Sequence, residues 1–256
     1  MPISPKQLTR RSFVSRAGGA ALSTVPFVRA LASQATPATR LKSRPGKPKS
    51  PLAHGLHHLG LSTTGRDGLL YVAKEIDGTK PAPLILALHG ATQAGELMTT
   101  RLATFADTLS AALLAPDSRD MSWDAVRGEF GVDPAFIDKA MAWTYDRVVI
   151  DPARIWLAGF SDGASYGLSL GMANGDVFSR LIAFSPGFVI PTERRGKPKI
   201  FVSHGRQDQI LPIDRCSRVI VPELNRAGYD VRFDEFEGGH RMPPEILDAA
   251  AKWLTM

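Results

Sequence analysis

The chain of 256 residues is poor in cysteine and in long apolar runs. Its single cysteine, Cys216, excludes a disulfide framework within the chain and any metal site built from several thiolates. No stretch supplies the roughly 20 consecutive apolar residues that a membrane-spanning helix needs. We therefore expect a globular protein with no stable membrane span, and the 44% share of hydrophobic residues is enough to build a core.

Acidic residues are absent from residues 1–66, and Asp67 is the first acidic residue of the chain. Residues 1–66 carry eleven basic side chains, whereas the remaining residues carry 20 basic and 25 acidic ones. The formal net charge of +6 therefore arises before the folded part, which is mildly acidic. This distribution removes the main support for a basic nucleic-acid-binding face, and we expect no nucleic-acid partner.

The amino-terminal region is typical of an export signal followed by a linker. Residues 9–15 contain the pair Arg10-Arg11, a weakly apolar stretch follows, and a small-x-small pattern closes at Ala32. This order resembles a twin-arginine signal peptide over residues 1–32 and implies a periplasmic or secreted protein. Residues 33–54 contain four prolines and no acid or aromatic residue, which predicts a tether that is flexible or lies loosely on the surface. An ordinary basic tail is the alternative.

Residues 55–256 alternate short apolar runs with helical patterns. The run at 84–88, between Pro83 and Gly90, is typical of a strand that is buried on both faces of a parallel sheet. Two early strands around a 65–68 turn predict an antiparallel start. The sequence therefore predicts an α/β domain with a doubly wound, mainly parallel sheet and helices on both faces. In such sheets the chemistry lies beyond the carboxyl ends of the strands.

A candidate nucleophile lies between a predicted strand and a predicted helix. Residues 159–163 read Gly-Phe-Ser-Asp-Gly, a G-x-S-x-G pattern centred on Ser161. In this pattern a strained turn projects the serine hydroxyl out of the sheet, and side chains at the glycine positions would collide with neighbouring backbone. The alternative is a serine that caps a helix in a glycine-rich turn.

A serine hydroxyl needs a base near neutral pH. His240 follows the last predicted strand, Asp208 follows the one before it, and the order Ser, Asp, His is the one associated with this motif. We expect His240 to move the Ser161 proton and Asp208 to orient His240. Three acids and two histidines compete with these residues: Asp214, Asp234, Glu237, His89 and His204. Asp214 is expected to cap a helix and Asp234 to face solvent from within a strand. The two histidines are expected to support backbone turns.

The turn at residues 89–91 follows the first parallel strand and contains His-Gly. Such a turn supplies one backbone donor for an oxyanion, so we expect the amides of Ala91 and Asp162 to form the oxyanion hole. A loose cluster of His54, His57 and His58 is the one hint of a metal site. Strand alternation points His57 and His58 to opposite faces, so we expect no metal or other cofactor.

Together these three motifs resemble the alpha/beta-hydrolase superfamily over residues 84–254, and residues 159–188 and 201–240 resemble its phospholipase/carboxylesterase branch. The resemblance implies a lidless serine hydrolase that cuts carboxylic esters through an acyl-enzyme. About fourteen residues separate the strands ending at Phe184 and starting at Lys199, which leaves no room for a cap domain.

An open site would admit small or oligomeric esters, and four apolar residues on strand-end loops are candidates to line it: Trp123, Phe160, Phe188 and Ile210. Ordinary core packing is the alternative for each of them. Hydrolysis of hydroxyalkanoate oligomers or feruloyl esters is the second enzymatic hypothesis, and a non-catalytic hydrolase-like binding protein is the third. Nothing in the sequence specifies an oligomeric state.

Overall fold

A computed structural model describes residues 39–63 and 65–256. The predicted export signal and the first part of the predicted tether lie outside the described residues. Eight strands and six helices follow one another along the described chain: β1 (Gly55–His58), β2 (Gly68–Val72), β3 (Ala82–Leu88), α1 (Gly95–Thr108), β4 (Ala112–Pro116), α2 (Asp124–Arg127), α3 (Val132–Tyr145), β5 (Ile150–Phe160), α4 (Asp162–Ala173), β6 (Arg180–Phe184), β7 (Lys199–Gly205), α5 (Ser217–Arg226), β8 (Val231–Phe236) and α6 (Pro244–Leu254).

The strands form one sheet in the order β1-β2-β4-β3-β5-β6-β7-β8. β1 pairs antiparallel with β2, and β2 pairs antiparallel with β4. The other six strands, β3 to β8, run parallel to one another. This confirms the predicted mainly parallel sheet with an antiparallel start. Because β3, β5 and β7 are parallel, the segments that follow Leu88, Phe160 and Gly205 all emerge at the same edge.

The sheet is covered on both faces, and β3 shows why its sequence is continuously apolar. Leu84, Leu86 and Leu88 belong to the core cluster that includes helices α3, α4 and α5. Ile85 and Ala87 point to the opposite cluster, which includes α1 and α6. Both sets of side chains are buried, so every position of this strand needs an apolar residue.

The short helix α2 was not predicted from the sequence, because four residues are too few for a periodic pattern. Its position depends on Asp124, whose side chain accepts hydrogen bonds from the amides of Gly131 and Asp133 at 2.9 Å each. Asp133 in turn accepts bonds from the amides of Arg119 and Asp124. These local side-chain bonds replace the apolar stripe that orders a longer helix.

Residues 39–54, the described part of the predicted tether, lie against the domain. Leu41 is only 1% exposed and lies in the same core cluster as α4, and its amide donates to Asn174 Oδ1 at 2.9 Å. Arg40 forms an ion pair with Asp176 at 2.8 Å, and Ser43 donates through its amide and its hydroxyl to Asp138. The sequence suggested a linker because two isolated leucines among prolines and basic residues show no periodicity, whereas the domain surface supplies the acidic partners.

No helix in the described ranges combines the length and the hydrophobicity that a membrane span requires. Among those same residues, no group of three histidine, cysteine, aspartate or glutamate side chains converges as a metal site would require. His57 instead bonds through Nε2 with the carbonyl of Ala53 at 2.9 Å.

The buried leucine of the amino-terminal segment provides a test of this docking. Replacing Leu41 by Ala is expected to lower the free energy of unfolding by about 2–4 kcal/mol, because it removes a buried side chain and leaves a cavity. Urea denaturation measures the change. The exposed Lys47→Ala is the matched control and should change the free energy by less than about 0.5 kcal/mol. An unfolding free energy of Leu41→Ala equal to that of the unaltered chain would contradict the docking.

Candidate active site

The turn between β5 and α4 holds Ser161 in an unusual backbone conformation, with φ of 57° and ψ of −120°. A positive φ is uncommon for a residue other than glycine and costs energy. The two flanking glycines are needed because a Cβ at Gly159 would collide with the carbonyl of Gly163, and a Cβ at Gly163 would collide with the carbonyl of Leu88. The clashes explain why the G-x-S-x-G pattern has glycine at these two positions, as expected from the sequence.

Several backbone bonds keep this turn in place. The Ser161 amide donates to the carbonyl of Phe184 at 3.0 Å, and the Ser161 carbonyl accepts from the amides of Ala164 and Ser165 in the first turn of α4. The serine thus stands at the amino end of a buried helix, where the helix dipole favours negative charge. Its residue surface is 9% exposed.

Asp208 and His240 come together as predicted, although 32 residues separate them in the chain. His240 Nδ1 lies 2.6 Å from Asp208 Oδ2. The other carboxylate oxygen, Oδ1, accepts the amides of Ile210 at 2.9 Å and Leu211 at 2.8 Å. Burial raises the pKa of Asp208, but the hydrogen bonds from the Leu211 amide and from His240 outweigh it, so that the pKa lies below its ordinary value.

His240 also lies beside the serine turn. Its ring centroid is 4.8 Å from that of Phe160, the residue directly before Ser161. In the described part of the chain no hydrogen bond joins the Ser161 hydroxyl to the His240 ring. A free enzyme often shows this bond long or misaligned until substrate is bound. The arrangement brings the three predicted side chains to one edge of the sheet.

The loop after β3 packs against the serine turn. A Cβ at Gly90 would lie 3.3 Å from that of Ser161, and Thr92 donates through its amide to Met121 at 2.6 Å. Within the described residues, the amides of Ala91 and Asp162 donate no hydrogen bond to another group. Two unengaged donors beside the serine are what an oxyanion hole requires.

His89 supports this loop rather than facing a substrate. Its buried ring contacts the Gly90 carbonyl through Nδ1 at 2.8 Å, and Nε2 accepts the amide of Ser118 at 2.9 Å. Burial lowers the pKa of His89, which keeps the ring neutral and allows one nitrogen to accept. This agrees with the expectation that the histidine stabilises a backbone turn.

Trp123 has a different role from the one predicted. Its side chain is fully buried, its ring packs on those of His89 and Tyr166, and its Nε1–H donates to the His89 carbonyl at 2.8 Å. The prediction that Trp123 lines an open site is therefore wrong. The indole instead fixes the loop that carries Ala91, and the sequence could not distinguish an aromatic side chain at the site from one beneath it.

The other three apolar candidates lie around the edge of the site. Phe160 is 4% exposed and contacts His240. Phe188 and Ile210 are 42% and 69% exposed, and both belong to loops at the carboxyl edge of the sheet. The segment from β6 to β7 contains no helix or strand, and it is attached to α4 by the bond from the Gly187 amide to Ser165 Oγ at 2.9 Å. No cap is inserted there.

The competing acids pair elsewhere. Asp214 bonds with Arg218 at 2.7 Å, Asp234 with Arg232 at 2.8 Å, and Glu237 with Arg206 at 2.7 Å. Each of these acids engages an arginine on a solvent-exposed surface, which leaves Asp208 as the acid that contacts His240.

Two polar contacts at the site were not predicted. Ser122 donates its hydroxyl proton to Asp162 at 2.6 Å, which holds the side chain of the residue after Ser161. His204 Nε2 lies 3.2 Å from Asp208 Oδ2. The four-residue spacing between His204 and Asp208, at the end of a predicted strand, was the available signal for the second contact.

Comparison with known proteins agrees with this geometry. Residues 133–256 match the model of the phospholipase/carboxylesterase family. The chain is 30% identical over 172 residues to a probable feruloyl esterase C of Aspergillus oryzae, which covers 64% of this chain and 61% of the relative. It is 29% identical over 115 residues to acyl-protein thioesterase 1 of Gibberella zeae, covering 41% and 48%. The chain thus spans about half to three-fifths of the length of these curated relatives.

Among solved structures, the crystal structure of esterase PE8 superposes with a TM-score of 0.62 at 24% identity, covering 74% of this chain and 98% of that one. A likeness at this identity concerns the fold. The strand order, the turn at Ser161 and this superposition agree: the chain has the alpha/beta-hydrolase fold, and residues 133–256 are similar to the phospholipase/carboxylesterase family.

Proposed function

We propose that the protein is a serine hydrolase that cleaves carboxylic esters through an acyl-enzyme. The observation that carries the proposal is the 2.6 Å contact between His240 Nδ1 and the buried Asp208, beside the strained turn of Ser161. This geometry lets Asp208 hold the His240 tautomer in which Nε2 accepts a proton. The family match of residues 133–256 and the names of the curated relatives support the same class of reaction.

In the proposed reaction, Ser161 Oγ attacks the ester carbonyl carbon while its proton passes to His240 Nε2. The resulting oxyanion accepts hydrogen bonds from the amides of Ala91 and Asp162. When the intermediate collapses, the bond to the alcohol oxygen breaks and His240 protonates that oxygen. Water then attacks the acyl-enzyme, His240 takes its proton, and the departing Ser161 oxygen recovers a proton as the acid is released. Every proton transfer uses groups of this chain or water.

Removing the nucleophile tests the proposal. Ser161→Ala is expected to lower kcat for p-nitrophenyl butyrate by about a thousandfold or more, because covalent catalysis is lost. The variant should also fail to react with a fluorophosphonate probe, as judged by intact mass. Ser50→Ala, which changes an exposed serine, is the matched control and should retain labelling and turnover. Undiminished hydrolysis by folded Ser161→Ala would refute the assignment.

Two exposed apolar side chains beside the site favour ester substrates with a bulky apolar acyl group. Phe188 and Ile210 project apolar surface into solvent, although large apolar side chains are usually withdrawn from it. A backbone amide joins each residue to the site. The Phe188 amide donates to Ser165 Oγ of α4 at 3.4 Å, and the Ile210 amide donates to Asp208 Oδ1 at 2.9 Å. The similarity to a probable feruloyl esterase favours aromatic acyl groups as one such class.

Polar substitutions at these two positions test the substrate class. Phe188→Ser and Ile210→Ser should each lower kcat/KM for p-nitrophenyl octanoate or methyl ferulate by about tenfold, because an apolar contact with the acyl group is lost. Turnover of p-nitrophenyl acetate should not change. The matched control is Val219→Ser on α5, where the side chain is 46% exposed. Equal losses for acetate and octanoate would show that these residues do not select the acyl group.

We further propose that the protein is exported in the folded state through the twin-arginine route. The support is the Arg10-Arg11 pair ahead of a weakly apolar stretch that ends at Ala32. Cleavage after Ala32 would retain Arg40 and Leu41, the residues that dock the segment onto the domain.

The paired arginines provide the test of export. In a bacterium with this pathway, the double change Arg10→Lys and Arg11→Lys should reduce the periplasmic fraction to that of a chain lacking residues 1–32, because lysine does not replace the paired guanidinium groups. Immunoblots of cell fractions measure the result, and Arg16→Lys is the control. Undisturbed export of the double variant would contradict the proposal.

A further inference from the structure

A second histidine, which the proposed reaction does not use, lies against the carboxylate of Asp208. His204 is the sixth residue of β7 and its side chain is fully buried. Its Nδ1 lies 2.7 Å from Ser217 Oγ, its Nε2 lies 2.7 Å from the Leu211 carbonyl oxygen, and the same Nε2 lies 3.2 Å from Asp208 Oδ2. Every polar atom of this ring therefore has a partner.

The partners determine the tautomer of His204. A carbonyl oxygen and a carboxylate can only accept, so Nε2 must carry a proton. Ser217, the first residue of α5, has a hydroxyl that can donate to Nδ1. Burial lowers the pKa of His204, which favours this neutral ring with a single proton.

The carboxylate of Asp208 is consequently held from four directions. Oδ1 accepts two backbone amides, those of Ile210 and Leu211. Oδ2 accepts Nδ1–H of His240 and lies within reach of Nε2–H of His204. Two amides alone fix one oxygen, whereas the Nε2–H of His204, which donates to the Leu211 carbonyl at 2.7 Å, also lies 3.2 Å from the oxygen that faces His240 and adds its positive end there. The titratable groups that surround this cluster are His240 and the buried Cys216.

We infer that His204 is a positioning residue for the proposed ester hydrolysis, and that the chain Ser217–His204–Asp208 directs one carboxylate oxygen toward His240. The inference rests on the proposed function. His204 touches neither Ser161 nor a substrate, and it acts through Asp208. The Nε2–H of His204 also withdraws electron density from Asp208 Oδ2, the oxygen that contacts His240 Nδ1. Loss of His204 should therefore make the orientation of the Asp208 carboxylate less fixed and raise its pKa.

His204→Leu removes the donor and is the first variant to measure. Its kcat for p-nitrophenyl butyrate should fall about 10- to 100-fold, the range expected for losing one polar contact with a charged group. KM should stay near the unaltered value, since no substrate contact changes. The acid limb of the kcat/KM profile should move to higher pH, and carbon NMR should show that the pKa of the Asp208 carboxyl rises.

His204→Gln is the matched conservative variant, because a glutamine amide can place an N–H near the position of Nε2. It should restore most of kcat and return the pKa of Asp208 toward its unaltered value. If His204→Leu does not fold, Ser217→Ala replaces it, since that change removes the bond that orients the ring. Ser217→Ala should then shift kcat and the acid limb in the same direction.

The outcomes separate this inference from the proposed function. If the unaltered chain hydrolyses esters while His204→Leu, or Ser217→Ala in its place, keeps the same kcat and the same pKa of Asp208, the inference is overturned and the proposed function stands. A lower melting temperature alone would leave His204 with a purely structural role, which also overturns it. If the unaltered chain hydrolyses no ester, the proposed function fails. A raised pKa of Asp208 in His204→Leu, which needs no turnover to measure, would even then support the positioning contact.

Discussion

The left-handed backbone of Ser161 is the constraint on which the rest of the site depends. The turn can form only because Gly159 and Gly163 let β5, α4 and the end of β3 approach one another without Cβ atoms. A strained residue persists when its surroundings determine its conformation, and here a buried helix and a central strand do so. The same close approach places the loop of Ala91 beside the serine turn, so the strained backbone and the proposed oxyanion donors have one cause.

A second feature is the contrast between buried and exposed charges. Asp208 is enclosed, accepts three hydrogen bonds and lies 3.2 Å from His204 Nε2, and each of these partners belongs to the loops and strand ends of the site. The competing acids form arginine pairs at the surface, where an ion pair contributes little to stability. A carboxylate held by several donors keeps a low pKa and a fixed orientation, which suits the proposed role of orienting His240.

The basic amino-terminal region also has a different meaning once the fold is known. The net charge of +6 suggested a delivery segment attached to a mildly acidic domain. In the structure, Arg40 and Arg44 both pair with Asp176, and Lys49 pairs with Asp146. Part of the basic excess therefore neutralises acids of the domain itself. Leu41 then provides the apolar contact that makes the segment part of the fold.

The sequence by itself determined the class of fold and the edge of the sheet at which the site lies. A continuously apolar β3 and the glycines around Ser161 are local signals, because burial on two faces and a tight turn each restrict residue type directly. The contact between Asp208 and His240 followed from their places after parallel strands.

Only the tertiary structure decided the contacts of Trp123, His204 and Leu41. An aromatic, a histidine or a leucine in a loop has the same local pattern whether it contacts substrate, supports a loop or lies free in solvent. The difference depends on partners that are far away in the chain, such as Asn174, which lies 133 positions after Leu41. Sequence patterns report which face of an element is apolar, whereas contacts between loops exist only once the sheet has brought its strand ends together.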